Sequence, residues 1–179
     1  LSSISQSAVA FFGVYYKLQT FIYMPTSGIV QGMRPLMSYN YGAKLKERMH
    51  QILKVSGLVI AAILGAGTLL FFIVPNVLLS LFNASSGMLE IGETGLRILS
   101  LSFIVSSFGV LMSGVFEALG LGKYSLIVSL LRQLLITVPL AYILLNVMGI
   151  EGIWLSFVIA EAIASIVAYI LYRKKFKTI

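Results

Sequence analysis

The chain has 179 residues, of which 59% are hydrophobic and only 11% are charged, and its mean hydropathy is +0.99. A soluble domain carries about 25% charged residues, so this composition excludes a water-soluble fold and indicates an integral membrane protein. The net charge is +7, which alone could suggest nucleic-acid binding. The basic residues flank apolar segments, however, and this placement is typical of membrane topology.

Five long apolar segments predict five transmembrane helices, each long enough to cross a hydrocarbon core of about 30 Å. Turn-forming or charged residues separate them, and a short apolar stretch at 77–82 is expected to lie at the membrane interface. We therefore predict an all-α integral membrane protein built as a bundle of five helices. The predicted helices lie at about 5–39, 51–74, 88–119, 124–147 and 153–172.

The first predicted helix contains glycine and proline where a lipid anchor would carry leucine. Gly28 and Gly32 form a GxxxG step, which lets two membrane helices approach closely. Pro25 and Pro35 each remove a helix hydrogen bond, so this helix is expected to be kinked.

Polar residues on this helix are candidates for a functional surface. Gln31, Arg34 and Ser38 follow one another at i, i+3 and i+7, so they are predicted to share one helix face. Two interpretations stay open. The face is either a polar contact between helices or a cavity wall near a cytoplasmic gate.

Three further charged residues are site candidates because a charge in the hydrocarbon core costs about 2.5–3.5 kcal/mol. Arg132 and Glu161 are predicted at roughly 12 and 18 Å from the cytoplasmic side of neighbouring helices. They form a structural ion pair, or Glu161 is a protonatable group coupled to transport, or the two face different cavities. Glu117, close to Lys123, is interpreted as a capping or gating-rim group.

The loop charges predict the orientation of the chain. Basic residues lie at 43–54, at Lys123 and at 173–177, whereas the turns at 75–87 and 148–152 carry no lysine or arginine. Since positive loops stay in the cytoplasm, the C-terminus is predicted to be cytoplasmic and the N-terminus outside.

Two groups of residues resemble the MATE (multidrug and toxic compound extrusion) transporters. In the first helix they are Met24, Pro25, Gly28, Gln31, Gly32, Pro35 and the run YNYGAK at 39–44. Later in the chain they are EALGLGK at 117–123, LRQ at 131–133, Pro139 and GIEGIW at 149–154. The resemblance covers nearly the whole chain.

The resemblance implies half of a two-lobe, twelve-helix fold. Residues 1–179 would form the C-terminal lobe without its first helix, and the N-terminal lobe would be a missing partner. The chain begins at Leu1 rather than Met, which we interpret in the same way, as a piece of a longer protein. The resemblance also places the protein in the inner (plasma) membrane as a multi-pass protein, with the lipid bilayer as its surroundings.

The resemblance implies a multidrug efflux antiporter. It would export small organic cations in exchange for H⁺ or Na⁺ by alternating access between its lobes, without a cofactor. Some family branches have an acidic residue of a sodium site in the helix that matches 98–116, but this span has no Asp or Glu. No ion or metal site is therefore assigned, and the coupling ion, the substrate and the oligomeric state stay open.

The residues themselves point away from an enzyme. There is no cysteine and one histidine, His50, which excludes thiolate chemistry and a histidine-cluster metal site. Two alternatives to the antiporter remain. One is a lipid-linked oligosaccharide flippase of the same superfamily, which a basic central cavity would favour. The other is a non-transporting membrane scaffold, against which the Gly-, Pro- and polar-rich first helix argues.

Overall fold

The structure, a computed structural model, describes residues 6–176. Within this range all the regular secondary structure is helical and there is no β-strand, which confirms the predicted all-α fold. The segments are α1 (Gln6–Gly42), α2 (Lys46–Ile73), α3 (Pro75–Ser80), α4 (Ser86–Ala118), α5 (Gly122–Leu130), a π-helical turn (Leu131–Leu135), α6 (Thr137–Met148) and α7 (Ile150–Phe176).

Four segments in the described part of the chain are long and apolar enough to cross a membrane. They are Lys46–Ile73, Ser86–Ala118, Gly122–Met148 and Ile150–Lys175. The third of these joins α5, the π turn and α6 into one span. The helix α1 is longer, with 37 residues, but its polar residues lower its hydropathy, and it packs against α2 and α4.

The connection between α1 and α2 differs from the prediction. The sequence predicts a second helix from 51, but α2 begins at Lys46, and α1 continues to Gly42. Lys44 adopts a positive φ of 56°, which ends α1 in the way a left-handed residue ends many helices. Lys, Glu, Arg and Met are strong helix formers, so the basic segment that follows starts the next helix at once.

Helix α4 forms the centre of the bundle. More than half of its membrane window, 56%, is buried, against 11% for the span made by α5 and α6. Its neighbours are α1, α2 and α7. Between them lies an aromatic core in which Phe11 meets Trp154 edge-to-face, with ring centroids 5.0 Å apart. The apolar side chains of α5 and α6 are left facing outward, where lipid would cover them.

Small residues let the helices approach, although not at the step that the sequence indicated. Gly28 and Gly32 are exposed, and a Cβ at either would meet nothing within 4 Å. The expectation of close packing at this GxxxG step is wrong within this bundle, because α1 buries a different face. One close approach occurs at Gly95 of α4, where a Cβ would lie 2.6 Å from the Phe11 ring.

The α7 helix presents a small-residue face to the bundle. Ala160, Ala164 and Ala168 follow one another at four-residue spacing and are fully buried, as small residues at a close helix contact would be. The α1 helix is continuous through Pro25 and Pro35, and a bend at either proline stays a prediction.

Candidate functional site

A π-helical turn interrupts the span made by α5 and α6. Pro139 has no N–H and leaves a carbonyl one turn earlier without its helical donor. The chain widens into the π turn at Leu131–Leu135, and the Thr137 hydroxyl donates to the carbonyl oxygen of Arg132 at 2.5 Å. Turns of this kind often occur at functional sites, and this one carries Arg132.

Arg132 meets Glu161 of α7 across the helix interface. Nε of Arg132 lies 3.5 Å from Oε1 of Glu161, and the two side chains are 22% and 14% exposed. The other carboxylate oxygen, Oε2, is buried and has no hydrogen-bond donor among the described residues. The pair predicted from the sequence as one possibility is therefore present, but it is long and leaves half of the carboxylate unsatisfied.

A cavity of about 450 Å³ opens beside this pair, between α1, the π turn and α7. We call it the aromatic cavity. Arg132, Gln133 and Glu161 supply part of its lining, and Met24 adds a polarizable thioether. Aromatic ring faces attract cations, and a carboxylate at the wall completes a site suited to a flat, positively charged molecule. The aromatic lining consists of Phe12, Tyr15, Tyr16, Tyr23 and Phe157.

A second cavity of about 350 Å³, the polar cavity, lies between α1, α4 and the span of α5. Gln31, Arg34, Glu117, Ser129 and Arg132 are in its lining. Its charges are paired, because Arg34 and Glu117 form an ion pair. This pair joins α1 to α4.

Hydroxyl groups extend the Arg34–Glu117 pair toward α5. The Ser125 hydroxyl donates to Oε1 of Glu117 at 2.8 Å. The hydroxyl oxygens of Ser113 and Ser125 also lie 2.8 Å apart, within hydrogen-bond distance. Glu117 is thus a member of a network between three helices, where the sequence had suggested a capping or gating-rim group near Lys123.

The two cavities share part of their lining. Arg132 and Ser27 line both, so the aromatic and polar cavities are neighbours with one arginine at their boundary. This position was not visible in the sequence.

The cavities bring together five of the six residues proposed from the sequence. Glu161 and Arg132 line the aromatic cavity, and Arg132 also joins Gln31, Arg34 and Glu117 at the polar one. Ser38 is exposed and is not among the residues that line either cavity. Ser38 lies on the same helix face as Arg34 but one turn farther along α1, beyond the end of the cavity.

The aromatic residues of α1 are not among the six site candidates predicted from the sequence. Phe11 is buried and Phe21 is 67% exposed, and neither lines the aromatic cavity. Phe12, Tyr15 and Tyr23 nevertheless line the aromatic cavity. Together with Gln19 and Ser27, these residues follow one another at steps of three or four along the sequence. This helical spacing indicates a single face of α1 that is both aromatic and polar.

A third and larger cavity lies elsewhere. It has a volume of about 520 Å³ and is lined by the first turns of α2, including Lys46 and His50, together with Tyr172. None of the six candidate site residues lines it. Within residues 6–176, no group of three or more His, Asp or Glu side chains comes together as a metal site would require, so we assign no metal ligands.

Membrane-length helices with paired charges facing internal cavities define a polytopic helical membrane protein. The family model described as MatE matches residues 1–143. The chain therefore belongs to the MATE family.

Curated relatives agree with this assignment. The chain is 26% identical to the multidrug export protein MepA of Staphylococcus saprophyticus and 25% identical to MepA of Staphylococcus aureus, over 96% of its own length in both cases. It spans about 38% of the length of each of these relatives.

Solved structures show the same fold. An outward-facing multidrug resistance MATE family transporter of the MOP superfamily superposes with a TM-score of 0.90 at 22% identity, over 97% of this chain and 39% of that one. The MATE multidrug transporter DinF-BH superposes with a TM-score of 0.82 at 30% identity, over 91% of this chain and 36% of that one.

Proposed function

We propose that the chain is the C-terminal lobe of an antiporter that exports organic cations in exchange for H⁺ or Na⁺. The observation that carries this proposal is the aromatic cavity with Glu161 in its wall. A hydrophobic cation gains stacking and cation–π contacts from the rings and an opposite charge from the carboxylate. The relatives named as multidrug export proteins support the choice of cargo.

The charges of the cavities favour cations over the phosphate groups of a lipid-linked oligosaccharide. A flippase for such a substrate would need unpaired basic groups in its cavity. Here Arg34 is paired with Glu117 and Arg132 with Glu161, and Lys17 is exposed. The flippase is therefore the weaker alternative.

The exposed face of α1 supports a second lobe as partner. This face consists of Gly28, Gln31, Gly32 and Pro35, which are all exposed. The same helix also contributes residues to the lining of both cavities. The matched relatives are more than twice as long as this chain, which spans about 38% of them. We propose that this face lines the space between two lobes and that rocking of the lobes opens the cavity to either side of the membrane.

We place the complete transporter in the plasma membrane with the basic ends of α2 and α7 in the cytoplasm. These ends carry Lys46 and Arg48, and Arg173 to Lys175, which follow the positive-inside rule. A non-transporting scaffold would need neither the two cavities nor the charged residues that line them.

Export of ethidium from cells that express the full-length transporter tests the proposal. The H⁺ and Na⁺ gradients are collapsed separately, and the expected result is export that stops with one of them, which names the coupling ion. The Glu161→Gln variant should lose export, whereas the matched Glu93→Gln variant, which alters the exposed pair with Arg97, should retain it. Folded protein in the membrane without export under either gradient would contradict the antiporter.

A further inference from the structure

We propose that Arg132 is a tethered cation that occupies Glu161 when no cargo is bound, and that the positive group of the cargo displaces it into the polar cavity. This inference rests on the proposed function, because it presumes a cationic cargo in the aromatic cavity. It makes Glu161 the residue that contacts the cargo and Arg132 the residue that decides when the carboxylate is available.

The first support is the incomplete pairing of Glu161. Only Oε1 faces the guanidinium, at 3.5 Å, while Oε2 is buried without a donor among the described residues. A pair that served only to join helices would be expected to use both oxygens of the carboxylate, since arginine can donate two parallel hydrogen bonds. A buried acceptor without a donor is a position where a ligand gains by binding.

The second support is the position of Arg132 between the cavities. It lines the aromatic cavity on one side and the polar cavity on the other. The polar cavity offers acceptors for a displaced guanidinium. They are the hydroxyl of Ser129 and the carboxylate of Glu117, which Arg132 would share with Arg34 and Ser125. The guanidinium of Arg132 can therefore move from the aromatic cavity to the polar cavity. It need not enter lipid, where a charge would be costly.

The third support is the backbone that carries Arg132. The π turn at Leu131–Leu135 replaces regular α-helical hydrogen bonds, and turns of this kind occur often at functional sites. A long side chain on such a turn can change its direction without breaking a regular helix. The displacement thus needs a side-chain movement and no change of fold.

Competition of this kind has a measurable consequence for affinity. If Arg132 occupies Glu161 for most of the time, the apparent affinity for a cation is reduced by the fraction of time that the carboxylate is free. Removing the guanidinium should therefore tighten cation binding. It should also slow export, because Arg132 is then absent when the cargo has to leave.

Binding of the cationic dye rhodamine 6G to the purified full-length transporter, followed by fluorescence polarisation, tests this. Arg132→Gln should bind the dye about three- to tenfold more tightly than the unchanged protein and export it more slowly, while Arg132→Lys should restore intermediate behaviour. Glu161→Gln should bind more than about tenfold more weakly. The double variant should behave as Glu161→Gln does, and Glu93→Gln should bind as the unchanged protein.

The charge of the probe separates this role from a structural one. The neutral dye Nile red should bind equally to the unchanged protein and to Arg132→Gln, because it does not compete for Glu161. A loss of affinity for both dyes in Arg132→Gln would overturn the inference, because it would show that Arg132 supports the shape of the cavity instead of competing with the cargo. Unchanged or weaker rhodamine binding in a correctly folded Arg132→Gln protein would overturn the inference.

A second measurement keeps Arg132 and Glu161 in place. Ser129→Cys puts a thiol in the polar cavity, and its labelling by a maleimide should slow when rhodamine 6G drives Arg132 toward it, but not with Nile red. An unchanged rate at saturating rhodamine would overturn the inference even if Arg132→Gln failed to fold. If the unchanged transporter neither binds nor exports rhodamine 6G, the proposed function fails as well, whereas export with none of these shifts refutes only the role of Arg132.

Discussion

The hydroxyl of Thr137 donates a hydrogen bond of 2.5 Å to the carbonyl oxygen of Arg132. Thr137 is 6% exposed, and the bond is partly buried. It adds a side-chain donor to a carbonyl inside the π turn, where the backbone hydrogen bonds depart from the regular α-helical pattern. The turn that positions Arg132 at the boundary of two cavities is therefore stabilised by the side chain that follows it.

Replacing Thr137 with Val should destabilise the π turn while keeping the side-chain shape. A fully buried carbonyl that loses its donor costs about 1–3 kcal/mol. This one is partly buried, so the cost should lie in the lower part of that range, and the thermal unfolding temperature of the purified transporter should fall. Cation affinity should change at the same time, because the direction of Arg132 depends on this turn. Differential scanning fluorimetry and rhodamine binding measure the two effects.

Thr20→Val is the matched control for the stability measurement only, because Thr20 also lines the aromatic cavity. Thr20 makes the same kind of bond, to the carbonyl of Tyr16 at 2.8 Å, but it is exposed and lies on a regular part of α1. It should leave the unfolding temperature almost unchanged. An equal loss in both variants would contradict a special role for Thr137.

Gly95→Ala should loosen the centre of the bundle. A Cβ there would lie 2.6 Å from the ring of Phe11, which packs against Trp154. Overpacking of this kind costs about 1–3 kcal/mol, and thermal unfolding in detergent would measure it.

Gly13→Ala provides the comparison for the Gly95 variant. A Cβ at Gly13 would meet nothing within 4 Å, and alanine is the better helix former by about 1 kcal/mol. This variant should be as stable as the unchanged protein or more so. A Gly95→Ala protein that matched it would mean that α1 and α4 do not approach as closely as described.

Cysteine labelling should distinguish the cavity surface from the lipid surface. The chain has no cysteine, so single cysteines can be introduced into a transporter made cysteine-free elsewhere. A thiol at Gln31, in the polar cavity, should react with a water-soluble maleimide, because thiolate formation requires water. A thiol at Ile143, which is 56% exposed on α6, should not react if lipid covers that helix. Equal labelling at the two positions would contradict this division of the surface.

The orientation can be measured in the same way. Arg48→Cys, near the start of α2, should be labelled by an impermeant maleimide only in inside-out vesicles. Ser85→Cys, just before α4, should be labelled only in intact cells. These outcomes follow from the positive-inside rule, and the reverse pattern would refute the proposed cytoplasmic C-terminus.

The long helices could be predicted from the sequence because their apolar runs exceed the thickness of a membrane core. The start of α2 could not, since Lys46, Glu47 and Arg48 indicate a loop by their charge although they are good helix formers. In membrane proteins, a basic segment indicates on which side of the membrane it lies, but it does not indicate whether the segment is a loop or a helix.

The sequence was sufficient to predict most residues of the candidate site, but not which residues contact one another. The cost of a charge in the membrane singled out Arg132 and Glu161, and the structure places them 3.5 Å apart. The partnership of Arg34 with Glu117 joins positions on two helices that are far apart in the chain, so no local pattern reveals it. The π turn depends on how the chain accommodates Pro139, which spacing alone does not determine.

The most direct test of the central claim is a structure of the full-length transporter with rhodamine 6G bound. The dye is expected in the aromatic cavity, with its positive charge within about 6 Å of the Glu161 carboxylate and the guanidinium of Arg132 turned into the polar cavity. A bound dye outside this cavity, or inside it with the Arg132–Glu161 pair still closed, would contradict the claim that the cargo and Arg132 compete for one carboxylate.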